Sequence, residues 1–213
     1  MIMRKRLTVI LFLLLVLLAP AKAGEPGGWF FSHFRLGAEW GYSQCLWMTR
    51  DYNIISSEGY RIYEKSQGFY LQPNGMVLGR VVFPLSEGFE LSLCGGYMGT
   101  GRDNRLFPVL LRLNWFPSLA DEDGFFTQIQ GGAAFHTPAG GGFSKMAWLV
   151  SAGEGYRLRL GAGLDLDLGV NFRFLSDHPH IPNPEGPGNV QERNIRKNLA
   201  EYCALDFTVG ICF

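Results

Sequence analysis

The sequence predicts an all-β protein that folds as a closed antiparallel up-and-down transmembrane β-barrel of about eight strands. Three observations lead to this prediction. Apolar and polar residues alternate with a period of two through most of the chain. The alternating blocks are separated by short segments rich in glycine, proline and asparagine, which favour turns. After the N-terminal segment there is no apolar run of about 18 residues, so only strands are available to cross a membrane.

The N-terminal segment has the layout of a secretory signal peptide. A basic start at residues 4–6 is followed by an apolar run at residues 7–18, and Ala-Lys-Ala at 21–23 supplies the small residues that a signal peptidase reads. The apolar run is too short for a membrane-spanning helix. We therefore expect residues 1–23 to be a signal peptide and residues 24–213 to form the barrel.

Eight alternating segments are expected to be strands, and the one that begins at Leu164 shows the pattern most clearly. Apolar residues occupy its even positions, whereas Asp165, Asp167 and Arg173 occupy odd ones. A soluble periplasmic β-sandwich, the alternative fold, would have to bury two carboxylates in an apolar core, which is unfavourable. The predicted strands are 34–47, 69–83, 88–99, 105–116, 125–136, 145–160, 164–174 and 204–213.

The apolar face of each strand is expected to meet lipid, with aromatic residues near the strand ends. Both chain ends and the short joins after the second, fourth and sixth strands are expected on the periplasmic side. Two of the remaining joins, 48–67 and 177–198, are long and are expected to be extracellular loops. Glu154 breaks the pattern because its phase points a charge at lipid, and a bulge at Gly153 or Gly155 would turn it inward.

The opposite faces of the strands carry charges of both signs in near-equal numbers. An eight-stranded barrel is only wide enough to be filled by its own side chains. Because buried charges need partners, we expect a self-neutralising polar plug, with a narrow pore as the alternative. The predicted plug residues are Arg35, Glu39, Arg80, Glu90, Arg112, Arg157, Arg159, Asp165, Asp167, Arg173 and Asp206.

No cofactor or metal site is predicted. The four cysteines, at 45, 94, 203 and 212, have no C-x-x-C spacing and are expected to be free thiols. His178 and His180, next to Asp177, have no fixed fourth ligand and are expected to be solvated. The formal net charge is zero, which gives no support for nucleic-acid binding.

Several stretches carry a resemblance to a known family. They are the signal peptide, FPVLLRLNWFP, FFTQIQGGAAF, SAGEGYRLRL, LDLDLGVNFRF and the ending LDFTVGICF. Together they resemble the small outer-membrane β-barrel family, in the form common among Bacteroidota and similar in layout to OmpX- and OmpA-type barrels. The resemblance implies a location in the outer membrane. The ending resembles the family's assembly signal and implies the β-barrel assembly machinery as a partner, through Phe207, Val209, Ile211 and Phe213.

The family has no single activity, so the resemblance does not imply one. The favoured hypothesis is a structural or interaction role, in which loops 48–67 and 177–198 contact lipopolysaccharide or an external partner whose identity the sequence does not indicate. The cations of the second loop can pair with phosphate groups, although a merely solvated loop is also compatible with the pattern. These cations are Arg193, Arg196 and Lys197.

The stretch FLSDHPH supports an alternative hypothesis, an outer-membrane lipid A acyl hydrolase. Ser176 and Asp177 resemble the end of the His-x-Ser-Asn motif of PagL-type deacylases, and Glu185 or Glu192 would supply the acid. Phe174, however, stands where that motif has histidine, and a serine hydroxyl without an adjacent base is a poor nucleophile. The two histidines of the same stretch follow in a proline-rich loop. We therefore expect no enzymatic activity.

Overall fold

The computed structural model describes residues 34–100, 104–118, 120, 122–136, 146–161 and 163–213. The predicted signal peptide and the glycine-rich join at 138–142 lie outside the described residues. Within the described part of the chain, eight antiparallel strands close into a barrel in which neighbours along the chain are neighbours in the sheet. The predicted fold class is therefore confirmed.

The first and last strands close the barrel. Strand β1 pairs along its length with β8, and Leu36 and Phe213 exchange two backbone hydrogen bonds of 2.9 and 2.8 Å. The strands are β1 (Arg35–Ile55), β2 (Arg61–Ser86), β3 (Phe89–Thr100), β4 (Asn104–Trp115), β5 (Gly124–His136), β6 (Met146–Gly161), β7 (Leu164–Asp177) and β8 (Ile195–Cys212).

The two ends of the barrel differ in their connections. The short joins β2–β3, β4–β5 and β6–β7 lie at the same end as the closing pair Leu36 and Phe213. In outer-membrane barrels this is the periplasmic end, and the longer connections are extracellular. Among the described residues, no helix has the length and apolar character that crossing a membrane requires.

The outside of the barrel is apolar, as the alternation predicts. Large apolar side chains are exposed around the whole wall, on a scale that soluble monomers rarely present to water. A surface of this kind is stable against hydrocarbon, so the wall spans a membrane. The exposed residues include Trp40, Val77, Phe83, Phe89, Leu93, Phe107, Leu111, Trp115, Phe125, Ile129, Trp148, Val150, Leu168, Phe172 and Phe207.

The first long loop was predicted at 48–67, and this prediction is wrong. Strand β1 continues to Ile55 and β2 resumes at Arg61, so only a short tip separates them. The N-terminal part of β8 pairs with the same extension of β1, and the three strands rise above the rest of the barrel. This extension lacks the regular apolar–polar alternation that sequence analysis depends on.

Two irregularities in the strand ladders coincide with prolines. Pro73 lies next to a register shift between Cys45 and Trp47 in the β1–β2 pair. Pro108 lies in a short stretch of β4 that has no paired residues on β3, which is compatible with its missing N–H. The bulge considered for Glu154 is absent, because both neighbouring ladders run through it in continuous register. Glu154 therefore stays on the outer face.

Candidate functional site

The periplasmic half of the lumen is built around Arg157, which is completely buried. Its guanidinium donates two hydrogen bonds to Glu90, of 2.8 and 3.0 Å, and two to Asp167, of 2.7 and 3.1 Å. The guanidinium also lies 4.4 Å from the ring centre of Phe116, which belongs to the periplasmic β4–β5 connection. Bidentate pairing fixes the planar group, so Arg157 joins three strands and one turn.

Further ion pairs continue from this centre towards the periplasm and across the barrel. Arg80 donates to Asp167 over 2.6 Å. Arg35 pairs with both Glu90 and Asp165, although its own side chain is 23% exposed at the periplasmic rim. These contacts connect β1, β2, β3 and β7, so the charges lock strands that are distant in the sequence.

A second layer lies above this centre and is formed by Arg112 and Glu39. Arg112 binds both carboxylate oxygens of Glu39, at 2.5 and 2.9 Å, and donates its Nε–H to Gln130 over 3.0 Å. The Gln130 amide in turn donates to the hydroxyl of Ser151 over 2.8 Å. All four side chains are buried, so this network spans the lumen without reaching solvent.

A third group of polar contacts lies between β1, β5, β7 and β8. Arg173 is 3.3 Å from the Asp206 carboxylate and donates to the Ser43 hydroxyl over 2.7 Å. Gln128 donates to the side-chain carbonyl of Asn171 over 2.5 Å. Each of these residues is buried. These polar side chains therefore make contacts with one another across the lumen.

The sequence-predicted charges fall into two sets. Arg159 lies at the periplasmic rim, where its side chain is 39% exposed and its Nε is 3.5 Å from Asp165, so it is not part of the buried network. The other ten residues occupy the lumen, with five arginines facing five carboxylates and no net charge. They are Arg35, Arg80, Arg112, Arg157, Arg173, Glu39, Glu90, Asp165, Asp167 and Asp206.

The extracellular half of the lumen is apolar, which the sequence analysis did not predict. Strand β4 shows the change, because its inward residues are Leu106 and Leu110 near the outside and Arg112 and Asn114 near the periplasm. This switch along one inward face is visible in the sequence and could have been found there. The buried apolar residues include Met76, Leu78, Met98, Leu106, Leu110, Ala134, Leu149, Leu175, Ala200 and Tyr202.

The connection between β7 and β8 packs over this apolar region. At its start, His136 and Asp177 are both buried, with 2.5 Å between the His136 Nε2 and a carboxylate oxygen. The side chain of Ile181 is 1% exposed, and the Asn198 amide donates to the carbonyl of Pro179 over 2.6 Å. The connection is therefore an ordered cover rather than a free loop.

Glu185 holds this cover against the tip of the β1–β2 hairpin. Its carboxylate accepts hydrogen bonds from the backbone N–H and the hydroxyl of Ser57, at 2.8 and 2.7 Å, and from the Tyr60 hydroxyl at 2.9 Å. The hydrogen bonds from Ser57 and Tyr60 hold the pKa of Glu185 below its usual value, and the carboxylate in turn raises the pKa of Tyr60. Glu185 is therefore engaged in a contact between loops and not in a catalytic one.

A basic groove of about 500 Å³ lies on the extracellular side, where β8 begins. Arg196, Lys197 and His178 line it together with Glu192 and the lipid-facing Met146 of β6. Lys197 donates to the Asp51 carboxylate over 2.7 Å, whereas Arg196 is exposed. Arg193 is exposed on an adjacent single 3-10 turn and does not line the groove. The structure thus brings together two of the three predicted cations.

The residues of the hydrolase hypothesis do not form a catalytic arrangement. In the strand ladders Ser176 is opposite Glu201 on β8 and Trp148 on β6. Phe174 is the next residue of β7 on the same outer face, where the motif needs a base. Asp177 points to the opposite, buried side. The predicted serine and the residue that stands for the motif's Asn therefore lie on different faces of the barrel wall.

The four residues of the predicted assembly signal lie on the outer face of β8. Phe207 and Phe213 are exposed, and Val209 and Ile211 are partly exposed between the neighbouring strands. The four cysteines are free, with Cys45 buried on the inside.

No family model matches the chain, and no curated protein matches it. Solved barrels are similar in fold. Outer membrane protein OprG from Pseudomonas aeruginosa has a TM-score of 0.51 at 10% identity, over 85% of this chain and 96% of that one. Neisserial surface protein A has a TM-score of 0.39 at 10% identity, over 83% and 96%. The protease OmpT from Escherichia coli has a TM-score of 0.41 at 8% identity, over 84% and 96%.

At these identities the similarity concerns the fold alone. The closed eight-stranded topology, the apolar wall and the ionic lumen nevertheless define the class: this chain is a small outer-membrane β-barrel of the Gram-negative cell envelope.

Proposed function

We propose that this protein is a sealed outer-membrane barrel with a structural role, whose extracellular rim binds lipopolysaccharide. The observation that supports the proposal best is the basic groove at the start of β8. Its cations Arg196 and Lys197 lie beside Met146, an outward-facing residue at the extracellular end of β6. In outer-membrane barrels the extracellular end of the apolar band lies near the lipid headgroups, so a phosphate group of lipid A would be within reach of these cations.

The cations in and beside the groove differ in how available they are to bind a phosphate group. Lys197 already pairs with Asp51. The side chains of Arg193 and Arg196 are both exposed. A guanidinium can bind phosphate through two parallel hydrogen bonds. We therefore assign the main phosphate contact to Arg196, with Arg193 as the second.

Lipid A binding by the purified protein in detergent tests this proposal. The double variant R193Q/R196Q should retain phosphorylated lipid A several-fold less well than the native protein, because charge-assisted hydrogen bonds are lost. The matched control R61Q/R105Q removes two exposed cations, at the starts of β2 and β4, that do not line the groove, and it should bind as the native protein does. Equal loss in both variants, or equal binding of dephosphorylated lipid A, contradicts the proposal.

The sealed lumen supports a non-conducting barrel rather than a pore. The two networks around Arg157 and Arg112 cross the periplasmic half, and the apolar half above them contains packed side chains. We expect planar bilayer recordings to show no steady single-channel conductance. A stable open level would favour the narrow pore.

We also propose that the barrel does not hydrolyse lipid A. Ser176 has Phe174 in place of the base, and Asp177 is turned to the inside. Mass spectra of lipid A should therefore be identical with and without expression of the protein. The loss of an acyl chain on expression would favour the hydrolase.

Two protein contacts belong to the same proposal. Phe207, Val209, Ile211 and Phe213 present an alternating apolar ridge on β8 that fits recognition by the β-barrel assembly machinery. The extracellular extension of β2 exposes Phe69 and its neighbours, which makes it the surface for an external partner.

A further inference from the structure

Glu154 is an unusual residue on the lipid-facing wall. Among the described outward positions of β5, β6 and β7 it is the one charged side chain, and the residues around it are apolar or aromatic. Ionisable groups facing lipid are costly, and they usually have a partner. The Thr127 hydroxyl donates to the Glu154 carboxylate at 3.0 Å, which fixes the carboxylate but leaves its charge uncompensated.

An apolar groove of about 670 Å³ runs along the outer wall beside Glu154. It crosses from β5 over β6, β7 and β8 to β1. Aromatic side chains form its borders, and Val170, Leu168 and Val209 form much of its surface. The border residues are Trp40, Tyr42, Phe125, Tyr156 and Phe207.

The register places the carboxylate near the periplasmic headgroups. Tyr156 is the next outward residue of β6 towards the periplasm, and its ring packs edge-on against Phe125 at 5.0 Å, near the start of β5. A strand rises about 3.3 Å per residue, so Glu154 lies no more than about 7 Å above this aromatic pair. Aromatic pairs at strand ends mark the interface. A headgroup of the periplasmic leaflet can therefore reach Glu154.

We propose that this groove binds a phospholipid of the periplasmic leaflet that carries a primary ammonium headgroup. The ammonium group donates to the carboxylate of Glu154, and an acyl chain lies along the apolar groove. Charge complementarity favours this occupant, because an anionic headgroup is repelled. A quaternary choline headgroup carries the same positive charge but has no N–H to donate, whereas a primary ammonium has three.

Native mass spectrometry of the purified mature protein in detergent tests the proposal. The protein is offered equal amounts of phosphatidylethanolamine, phosphatidylcholine and phosphatidylglycerol with identical acyl chains. Phosphatidylethanolamine should be retained best. In Glu154→Gln its preference over phosphatidylcholine should fall about tenfold, which corresponds to the loss of one hydrogen bond to a charged group. Glu201→Gln, which changes the carboxylate opposite Ser176 at the extracellular end, should keep the preference.

A second variant separates the headgroup from the acyl chain. Phe125→Ala opens the border of the groove and should lower retention of all three lipids while their ratio is unchanged. Glu154→Gln alters no lumen contact, so its heat-dependent gel mobility should match that of the native barrel. Equal retention of the three lipids by the native protein overturns the proposal. So does a preference that survives in Glu154→Gln, or a dimer that depends on Glu154 in place of bound lipid.

Discussion

The two halves of the lumen are walled by the same eight strands but filled by opposite chemistry. The periplasmic half is held by ion pairs such as Arg112 with Glu39, whereas the extracellular half is packed with apolar side chains such as Leu110 and Leu175. Both fillings occupy the lumen with buried side chains. The two halves differ in the specificity of their contacts. A buried charge requires a counter-charge in a matching position, whereas an apolar side chain packs against any apolar neighbour of suitable shape.

This difference predicts unequal tolerance to substitution. A buried ion pair adds little net stability over apolar packing of the same volume, but the removal of one partner leaves an uncompensated charge. An apolar lumen loses contacts in proportion to the volume removed. In the ionic half, a single substitution should therefore lower the free energy of unfolding more than one in the apolar half. A double substitution that removes both partners of an ion pair should lower it less.

Arg112→Met should give the largest effect. Glu39 is 3% exposed and its ion-pair partner is Arg112, so the variant should lose about 3–5 kcal/mol of unfolding free energy. Urea unfolding in detergent, followed by the gel mobility of the unheated protein, measures the change. The double variant Glu39→Gln/Arg112→Met removes both charges and should recover most of the loss. If it is as unstable as the single variant, the ionic half is not governed by charge compensation.

Leu175→Ala should give an intermediate effect in the other half. Leu175 is completely buried, and its truncation should cost about 2–3 kcal/mol, because a cavity replaces lost contacts. The same unfolding assay applies. Leu166→Ala, on the lipid-facing side of the same strand, leaves no internal cavity and is the matched control. A loss in Leu175→Ala no greater than that of the control would mean that the extracellular half is loosely packed.

The contact of Glu185 with Ser57 and Tyr60 should give the smallest effect, confined to the extracellular cover. The hydrogen bonds from Ser57, with that of Tyr60, hold the pKa of Glu185 below its ordinary value. A lowered pKa means that the ionised group stabilises the contact above the ordinary value, and that this stabilisation is lost as the pH falls through the lowered one. Limited proteolysis of the β7–β8 connection should therefore accelerate at acidic pH.

Glu185→Gln should remove most of this pH dependence and expose the connection to protease at neutral pH. Glu192→Gln, on the same connection, provides the comparison and should keep the pH dependence of the native protein. Identical cleavage of the native protein at neutral and acidic pH would show that Glu185 does not hold the cover closed.

The sequence predicts the membrane-spanning parts of the strands, where one face meets lipid and the other meets the lumen. Strand β7 was assigned correctly because Leu166 and Val170 face hydrocarbon while Asp167 and Arg173 face the lumen. Above the membrane this contrast disappears. The extension from Met48 to Ile55 is therefore strand in the structure but was predicted as loop.

The candidate site was less predictable, because its contacts join distant parts of the chain. The alternation along each strand shows which charged residues face the lumen. It does not show which of them meet, because the pairing of Arg35 with Glu90 and Asp165 depends on how neighbouring strands are aligned with one another. The contact between Glu185 and Ser57 depends on the path of two loops, and alternation carries no information about loops.

The pairing of the first strand with the last has a consequence for biogenesis. Arg35 of β1 finds its counter-charges on β3 and β7, and its neighbour Leu36 bonds to the final residue, Phe213. Before β1 pairs with β8, the sheet has two open edges, and Arg35 of β1 has not reached its counter-charge Asp165 on β7. Edge sealing and charge neutralisation thus coincide in one event.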